Sequence, residues 1–455
     1  MKYVFAGAGA ILVALSGLAW AIRPAPVADG RTLLTWTVDD NQIRQEQVAL
    51  FNRLNPGLQL EVDAGNAETS KVIIQSLAGV GPDIFCCYSG MQLSAYVRSG
   101  IAWDITDELP GLGVDVSRDL WGGGAACMVH EGRVYGIANN VAVDALWCNR
   151  ALFEECGVPF PENRPRRWEE FLPVLQKLTV RDRDGRVRQF GFLFAWWQWP
   201  AFMRQWGGRV YSADGTRCEI DCPETVRAVQ FMQDLIYKHG VSPSPEQEAA
   251  MSTEGGWGSG TITWFGGGRA ATALGGRWWL IALRKYPGLR LGVVESPHGE
   301  RRLFHAYGKA TLINRRSPRR REALAFLKYM LGREYNELIN HQGDGLGPVK
   351  RHAFTETFLH DPAYPEEKDN GVWREVLACG VPEEISPFVN GGTAGQIITE
   401  QLDLVRSGQK PAAEAMRAAA EQVNLEIQRT LRRDPALRAE YQRRLARRGG
   451  AEDGR

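Results

Sequence analysis

"RTLLTWTVDDNQIRQEQVALFNRLNPGLQLEVDAGNAETSKVIIQSLAGVGPDIFCCY", residues 31–88, is the stretch on which the fold turns. Residues 31–39 form a short apolar run of strand character. Residues 41–57 bring Ile43, Val48, Phe51 and Leu54 round at roughly helical intervals, and Asn55-Pro56-Gly57 ends the pattern. "LQLEVDA" (58–64) alternates as a strand, "AETSKVIIQSLAGVG" (67–81) predicts a capped helix, and "PDIFCCY" (82–88) returns to strand. Strands alternating with helices imply crossover connections, hence an α/β lobe with a largely parallel sheet. Ligands of such sheets sit beyond the carboxyl ends of the strands. That places the segments after Trp36, Ala64 and Tyr88 along one rim.

The chain has 455 residues, too many for one small core, so two domains or one large two-lobed domain are expected. A second set of elements begins near residue 150: helices at "NRALFEECG", "RWEEFLPVLQKL" and "PETVRAVQFMQDLIYKHG", then strands around "ATALGG" and "RLGVVESP". "SPRRREALAFLKYMLG" predicts an amphipathic helix with Ala323, Phe326, Leu327 and Met330 inward. Residues 431–455 predict an arginine-rich surface helix with a tail.

Net charge is +1, from 54 basic and 53 acidic residues, which gives no electrostatic case for nucleic acid or an anionic membrane. Lys2, an apolar run from Val4 to Ala21 and the small-x-small Ala19-Trp20-Ala21 describe an export signal over residues 1–22, either cleaved or kept as an anchor. Residues 23–30 read as a tether. Export permits disulfides among the eight cysteines; Cys218 and Cys222 flank a strand-like "CEIDC", whose extended spacing resists their pairing. No Cys/His grouping has zinc spacing, so no metal and no cofactor are expected.

"FAWWQWPAFMRQWGGRVY" (194–211) concentrates Trp196, Trp197, Trp199 and Trp206. Aromatic faces suit an apolar ligand or the C–H patches of a sugar, whereas a core helix would use one or two. "GWGSG" (256–260) breaks the order of a nucleophile elbow. "GGTAGQ" and "WFGGG" lack the Lys-Ser/Thr of a phosphate loop.

Several stretches, in order, resemble the extracellular solute-binding proteins of ABC sugar importers, the maltose-binding type. They are "ALFNRLNPGLQLEV", "GVGPDIFCCYSGMQLSAYVRSGIAWDITDEL" and "GRVYGIANNVAVDALWCNRALFEECGVPFPENRPRRWEEFLPVLQKL", followed by "GGRVYSADG", "FGGGRAATALGGRWWL", "HAYGKATLINRRSPRRREALAFLKYML" and "GDGLGPVK". This chain carries Ala138 where the family has proline, Cys148 where it has a strand tyrosine, and an unusual Cys86-Cys87. The resemblance implies a two-lobed periplasmic-binding-protein fold (type II). Lobe one would span 31–140 plus 310–350 and lobe two 141–309 plus 351–430. Crossings fall near Val141–Asp144, Tyr307–Lys309 and Pro348, with hinge closure over the ligand.

On that frame Trp196, Trp197 and Trp199 lie at the ligand-facing end of lobe two, where alternation lets one or two of them stack on ligand; Trp206 reads as core. "GGRWW" offers Trp278, favoured over Trp279, to close over a sugar, and Arg277 to fork onto hydroxyls or to pair structurally. Lobe one offers Trp36, Asp39 and Asp40, then Tyr88, Ser89 and Gln92. Asp40 serves equally as a helix cap, and Asp83 reads as structural. Asn139 and Asp144 stand at the crossing. The leading function is a non-catalytic, periplasmic carrier, expected monomeric, that binds a small carbohydrate and delivers it to ABC permease subunits. The rivals are a glycoside-processing enzyme, which needs two cleft carboxylates from a set including Asp40, Asp144 and Glu254, and a ligand-sensing subunit of a membrane receptor.

Overall fold

The computed structural model describes residues 30–66, 68–249 and 259–452. The export signal, all but the last residue of the tether, and Glu254 lie outside the described residues. Among the described residues twelve strands are formed: β1 (Thr32–Thr37), β2 (Leu58–Val62), β3 (Ile84–Cys87), β4 (Val129–His130), β5 (Arg133–Val134), β6 (Gly136–Asn149), β7 (Val180–Arg181), β8 (Val187–Leu193), β9 (Ala270–Gly276), β10 (Leu291–Val294), β11 (Phe304–Ile313) and β12 (Gly380–Val381). Ten of them share one sheet along the path β2-β1-β3-β11-β6-β9-β8-β7, with β10 on β6 and β12 on β11; β4 and β5 make a separate hairpin.

The first quoted stretch forms the parallel set β2-β1-β3, as expected from its crossover helices. Strand β6 holds the sheet together. Its fourteen residues are all buried; its first half pairs antiparallel with β11, while its second half pairs with β9 and β10. Each half of the sheet packs its own core, which makes the molecule two-lobed. One core draws on residues 34–138 and 310–349, centred on Trp36, Phe51 and Phe326. The largest of the others includes Trp168, Phe202 and Met416. Where the halves meet, Val141 faces Gly308 across the β6–β11 ladder, and its N–H and C=O bond Leu346 at 3.0 and 2.9 Å. Three chain segments thus run side by side at the junction.

The helix Gln42–Leu54 starts at Asn41, whose side chain accepts from the Arg44 N–H. Asn41 therefore holds the cap position, and Asp40 instead accepts from Gln45 at the surface. The inward face of this helix is Arg44, Gln47, Val48 and Phe51, not the expected face with Ile43 and Leu54, and Leu54 is 46% exposed. Polar residues win these positions because Arg44 reaches Asp344 at 2.6 Å and Gln47 reaches Gln342 at 3.0 Å. Helix Arg320–Leu331 does turn Ala323, Phe326, Leu327 and Met330 inward.

All eight cysteines are free thiols. No strand forms at 218–222: Cys218 makes a single bridge to Tyr211, and Cys222 sits just ahead of helix Pro223–Tyr237. The arginine-rich helix Pro435–Glu452 is docked through Tyr441, edge-on to Phe388, and Arg444, which lies over the same ring. No described helix is long and apolar enough to cross a membrane.

Candidate functional site

A cavity of about 360 Å³ opens where the two halves face each other. From the first half it takes Tyr88, Ser89, Met91, Gly123, Ala126 and Cys127. From the second it takes Trp196, Trp197, Trp199, Met203, Arg204 and Tyr211, and the late segments add Glu383, Glu384, Ile398 and Leu402. The floor is His305–Gly308 of β11. Its size and its apolar walls with a few polar groups suit a small-molecule site.

The tryptophan wall is built by a tight turn. After β8 the chain makes a 3₁₀ turn, Trp196–Gln198, and enters helix Trp199–Trp206, with Pro200 in its first turn. Gln198 fixes this turn from behind: its Oε1 accepts from Ala195 N–H at 2.8 Å and its Nε2 donates to Asp144 at 2.9 Å. The other Asp144 oxygen accepts from Tyr307 OH at 2.8 Å, and that hydroxyl accepts from Trp278 Nε1 at 3.0 Å. Trp197, 50% exposed, meets the Tyr307 ring edge-on with centroids 5.8 Å apart. A polar chain from Trp278 through Tyr307 and Asp144 to Gln198 therefore locks the aromatic wall in place.

That chain contains no cation. Burial pushes the Asp144 carboxyl up to about 6, although Tyr307 and Gln198 pull the other way. Burial, with Arg204 nearby, pushes the His305 imidazole down to about 4, so it is neutral at physiological pH. His305 and Tyr307 stand two residues apart on β11, hence on one face, with rings stacked at 5.6 Å. His305 Nε2 and Trp196 Nε1 are buried and find no partner among the described residues. Glu384 is fully engaged, by Arg204 and by the N–H groups of Val210 and Tyr211.

Of the residues expected from the sequence, Tyr88, Ser89, Trp196, Trp197 and Trp199 line the cavity. The others do not, each for a structural reason. Trp36 is wholly buried, its ring 4.9 Å from that of Phe326, because its face of β1 is covered by helix Arg320–Leu331. Asp39 is held by Arg44, Lys309 and the Tyr88 hydroxyl. Gln92 turns back onto Thr69, Tyr96 and the Tyr88 N–H. Asn139 is buried against Thr311. Arg277 lies inside the second half, donating to Asn370 and the Gly345 carbonyl and covering the Phe358 ring; burial lowers it to about 10. Trp278 and Asp144 act from behind the wall, and Asp40 is at the outer surface. Trp206 packs on Phe231 and Asp83 ties Thr35 to Ser317, both structural.

Sequence reasoning missed His305, Arg204, Glu383 and Glu384. The i, i+2 spacing of His305 and Tyr307 in "HAY" was the one available signal, since these residues lie far apart in the chain.

No described group of His, Cys, Asp and Glu side chains has the arrangement of a metal site. Among known proteins, a family model for bacterial extracellular solute-binding proteins matches residues 35–337. An ABC substrate-binding protein from Listeria monocytogenes in complex with cycloalternan superposes with a TM-score of 0.73 at 19% identity, over 87% of this chain and 98% of the other. The maltose-bound MalE3 of T. maritima gives 0.71 at 19% identity, over 87% and 99%. UgpB of Mycobacterium tuberculosis in complex with glycerophosphocholine gives 0.72 at 15% identity, over 88% and 100%. At these identities the likeness concerns the fold.

Proposed function

The chain belongs to the family of bacterial extracellular solute-binding proteins, and from that premise we propose that it carries a small carbohydrate, unaltered, to the permease of an ABC importer. The observation that carries this reading is the wall of Trp196, Trp197, Trp199 and Tyr211 sharing one cavity with Tyr88 of the other half. Aromatic rings cover the C–H faces of a sugar, and a few fixed polar groups orient its hydroxyls. The cycloalternan and maltose complexes of similarly folded proteins support the same ligand class. Tyr88, Ser89, Trp196, Trp197 and Trp199 would touch the ligand directly.

Closure would bend the three segments at the β6–β11 junction, with lobe one comprising 31–140 plus 310–350 and lobe two 141–309 plus 351–430. The N-terminal segment would export the chain, cleaved or retained as an anchor, and the carrier would act as a monomer. A thermal-shift screen of mono- and oligosaccharides, with polyols, amino acids and glycerophosphocholine as controls, tests the reading, because a ligand of the folded state raises the melting temperature. The expected result is a shift with an oligosaccharide recovered intact after hours. Consumption of the sugar would favour the glycoside-processing enzyme, and shifts confined to the controls would reject the carbohydrate.

A further inference from the structure

The cavity's charge is uneven. Among the described residues its one lining guanidinium, Arg204, is bonded to Glu384 and to the Pro382 carbonyl, and its one imidazole, His305, is neutral at physiological pH. Glu383 has no such counter-charge. Its Oε2 accepts from the Gly90 N–H at 3.2 Å, at the start of helix Gly90–Arg98, while no described group bonds its Oε1. Burial raises the cost of that charge, and among the described residues the Gly90 N–H alone offsets it.

The aromatic rings tell the same story. Seven cation–π pairs occur among the described residues, yet none involves Trp196, Trp197, Trp199, Tyr211 or Tyr307. Ring faces beside a carboxylate lacking a counter-ion are the surroundings in which a desolvated ammonium is stabilised. Trp196, only 8% exposed, also keeps an unpartnered Nε1, a donor that a ligand hydroxyl can satisfy. An anionic ligand would meet Glu383 with no cation free to receive it among the described lining residues.

We propose that the cleft selects a carbohydrate bearing a protonated amine, an amino sugar or its oligomer, with Glu383 Oε1 as the acceptor of the ammonium. The inference rests on the carbohydrate reading above. Glu383 would be the specificity-determining residue, and the aromatic wall would receive the sugar faces common to amine and neutral ligands.

Calorimetric titration of the full chain at about pH 6, below the usual range of a primary amine, tests it. The probes are matched α- and β-linked di- to tetramers of glucosamine, N-acetylglucosamine and glucose. A charge-assisted hydrogen bond predicts at least about tenfold tighter binding of the amine-bearing set. Glu383→Gln, which keeps an oxygen acceptor for the Gly90 N–H, should abolish that preference, so that the amine-bearing and glucose sets bind the variant within about twofold of each other. Equal affinity for acetylated or neutral oligomers overturns the inference and leaves the carbohydrate reading standing. So does an amine preference that survives Glu383→Gln. Failure of all three sets to bind overturns both. Should the variant not fold, the ratio among the three sets on the unaltered chain still decides.

Discussion

The two walls of the cavity are supported in opposite ways. Behind the Tyr88 wall stands a cluster of paired charges: Arg44 with Asp344 and Asp39, and Lys309 with both acids. Burial alone would lower the Arg44 guanidinium, but Asp344 and Asp39 drive it above its ordinary value. Behind the tryptophan wall stands one buried carboxylate, Asp144, held among the described residues by the neutral donors of Tyr307 and Gln198. The paired cluster fixes a frame through opposite charges. The neutral chain fixes the ligand-facing rings while leaving its acid near the physiological range. The first wall is also built small: a Cβ added at Gly123 would lie 2.8 Å from both Ala306 Cβ and Val141 Cγ2, so the loop can lie directly on the junction strands.

The largest test of this contrast is Arg44→Met. It strands Asp344 and Asp39 without their main cation, and the expected loss is about 3–5 kcal/mol of stability in urea unfolding. A loss below about 1 kcal/mol would mean that the charges are hydrated and do not hold the frame.

The pH dependence comes next. Asp144 is raised from its ordinary 3.8 to about 6, so the folded state holds its proton more tightly. Its contribution is full below about pH 4 and is lost as pH rises through 6, on the order of 3 kcal/mol. His305 is lowered from 6.5 to about 4, so its contribution is present above pH 6.5 and is lost as pH falls through 4. The two slopes oppose each other between pH 4 and 6. Asp144→Asn should therefore make stability rise with pH over that window, and His305→Gln should make it fall; parallel profiles for both variants would refute the assignment.

Tyr307→Phe removes one donor from Asp144 and the acceptor of Trp278 Nε1, with an expected cost of about 1–3 kcal/mol. It should also weaken ligand binding, since Trp197 rests on that ring. Trp197→Ala is the smallest change to the fold, within about 0.5 kcal/mol, because the side chain is half exposed. On the carbohydrate reading it still lowers affinity; unchanged affinity would move the ligand off this wall.

How far the sequence could be followed depended on the range of the interaction that decided each feature. The parallel set β2-β1-β3 and the inward face of Arg320–Leu331 follow from local periodicity, and both were legible. That the Trp196–Trp199 concentration would face a cavity was legible, because no single helix face buries so many rings. Trp36 was misplaced because a strand's alternation tells that two faces exist and not which one a distant helix will cover. For Arg277 the sequence left ligand contact and structural pairing open, and Glu367 and Asn370, about a hundred residues onward, draw it inside. Helix Gln42–Leu54 was assigned correctly and its inward face was not, since Arg44 is stable there only with Asp344 opposite.

By itself the sequence determined an α/β chain with two lobes, the order of its elements, its family, and a tryptophan turn after β8. These are properties of local period, turn chemistry and motif order. Only the tertiary structure decided which side chains share the cavity, that Asp144 stands behind it rather than in it, and that Glu383 enters it without a counter-charge. Those outcomes depend on pairings across tens to hundreds of residues, where one buried hydrogen bond or ion pair settles where a side chain can rest.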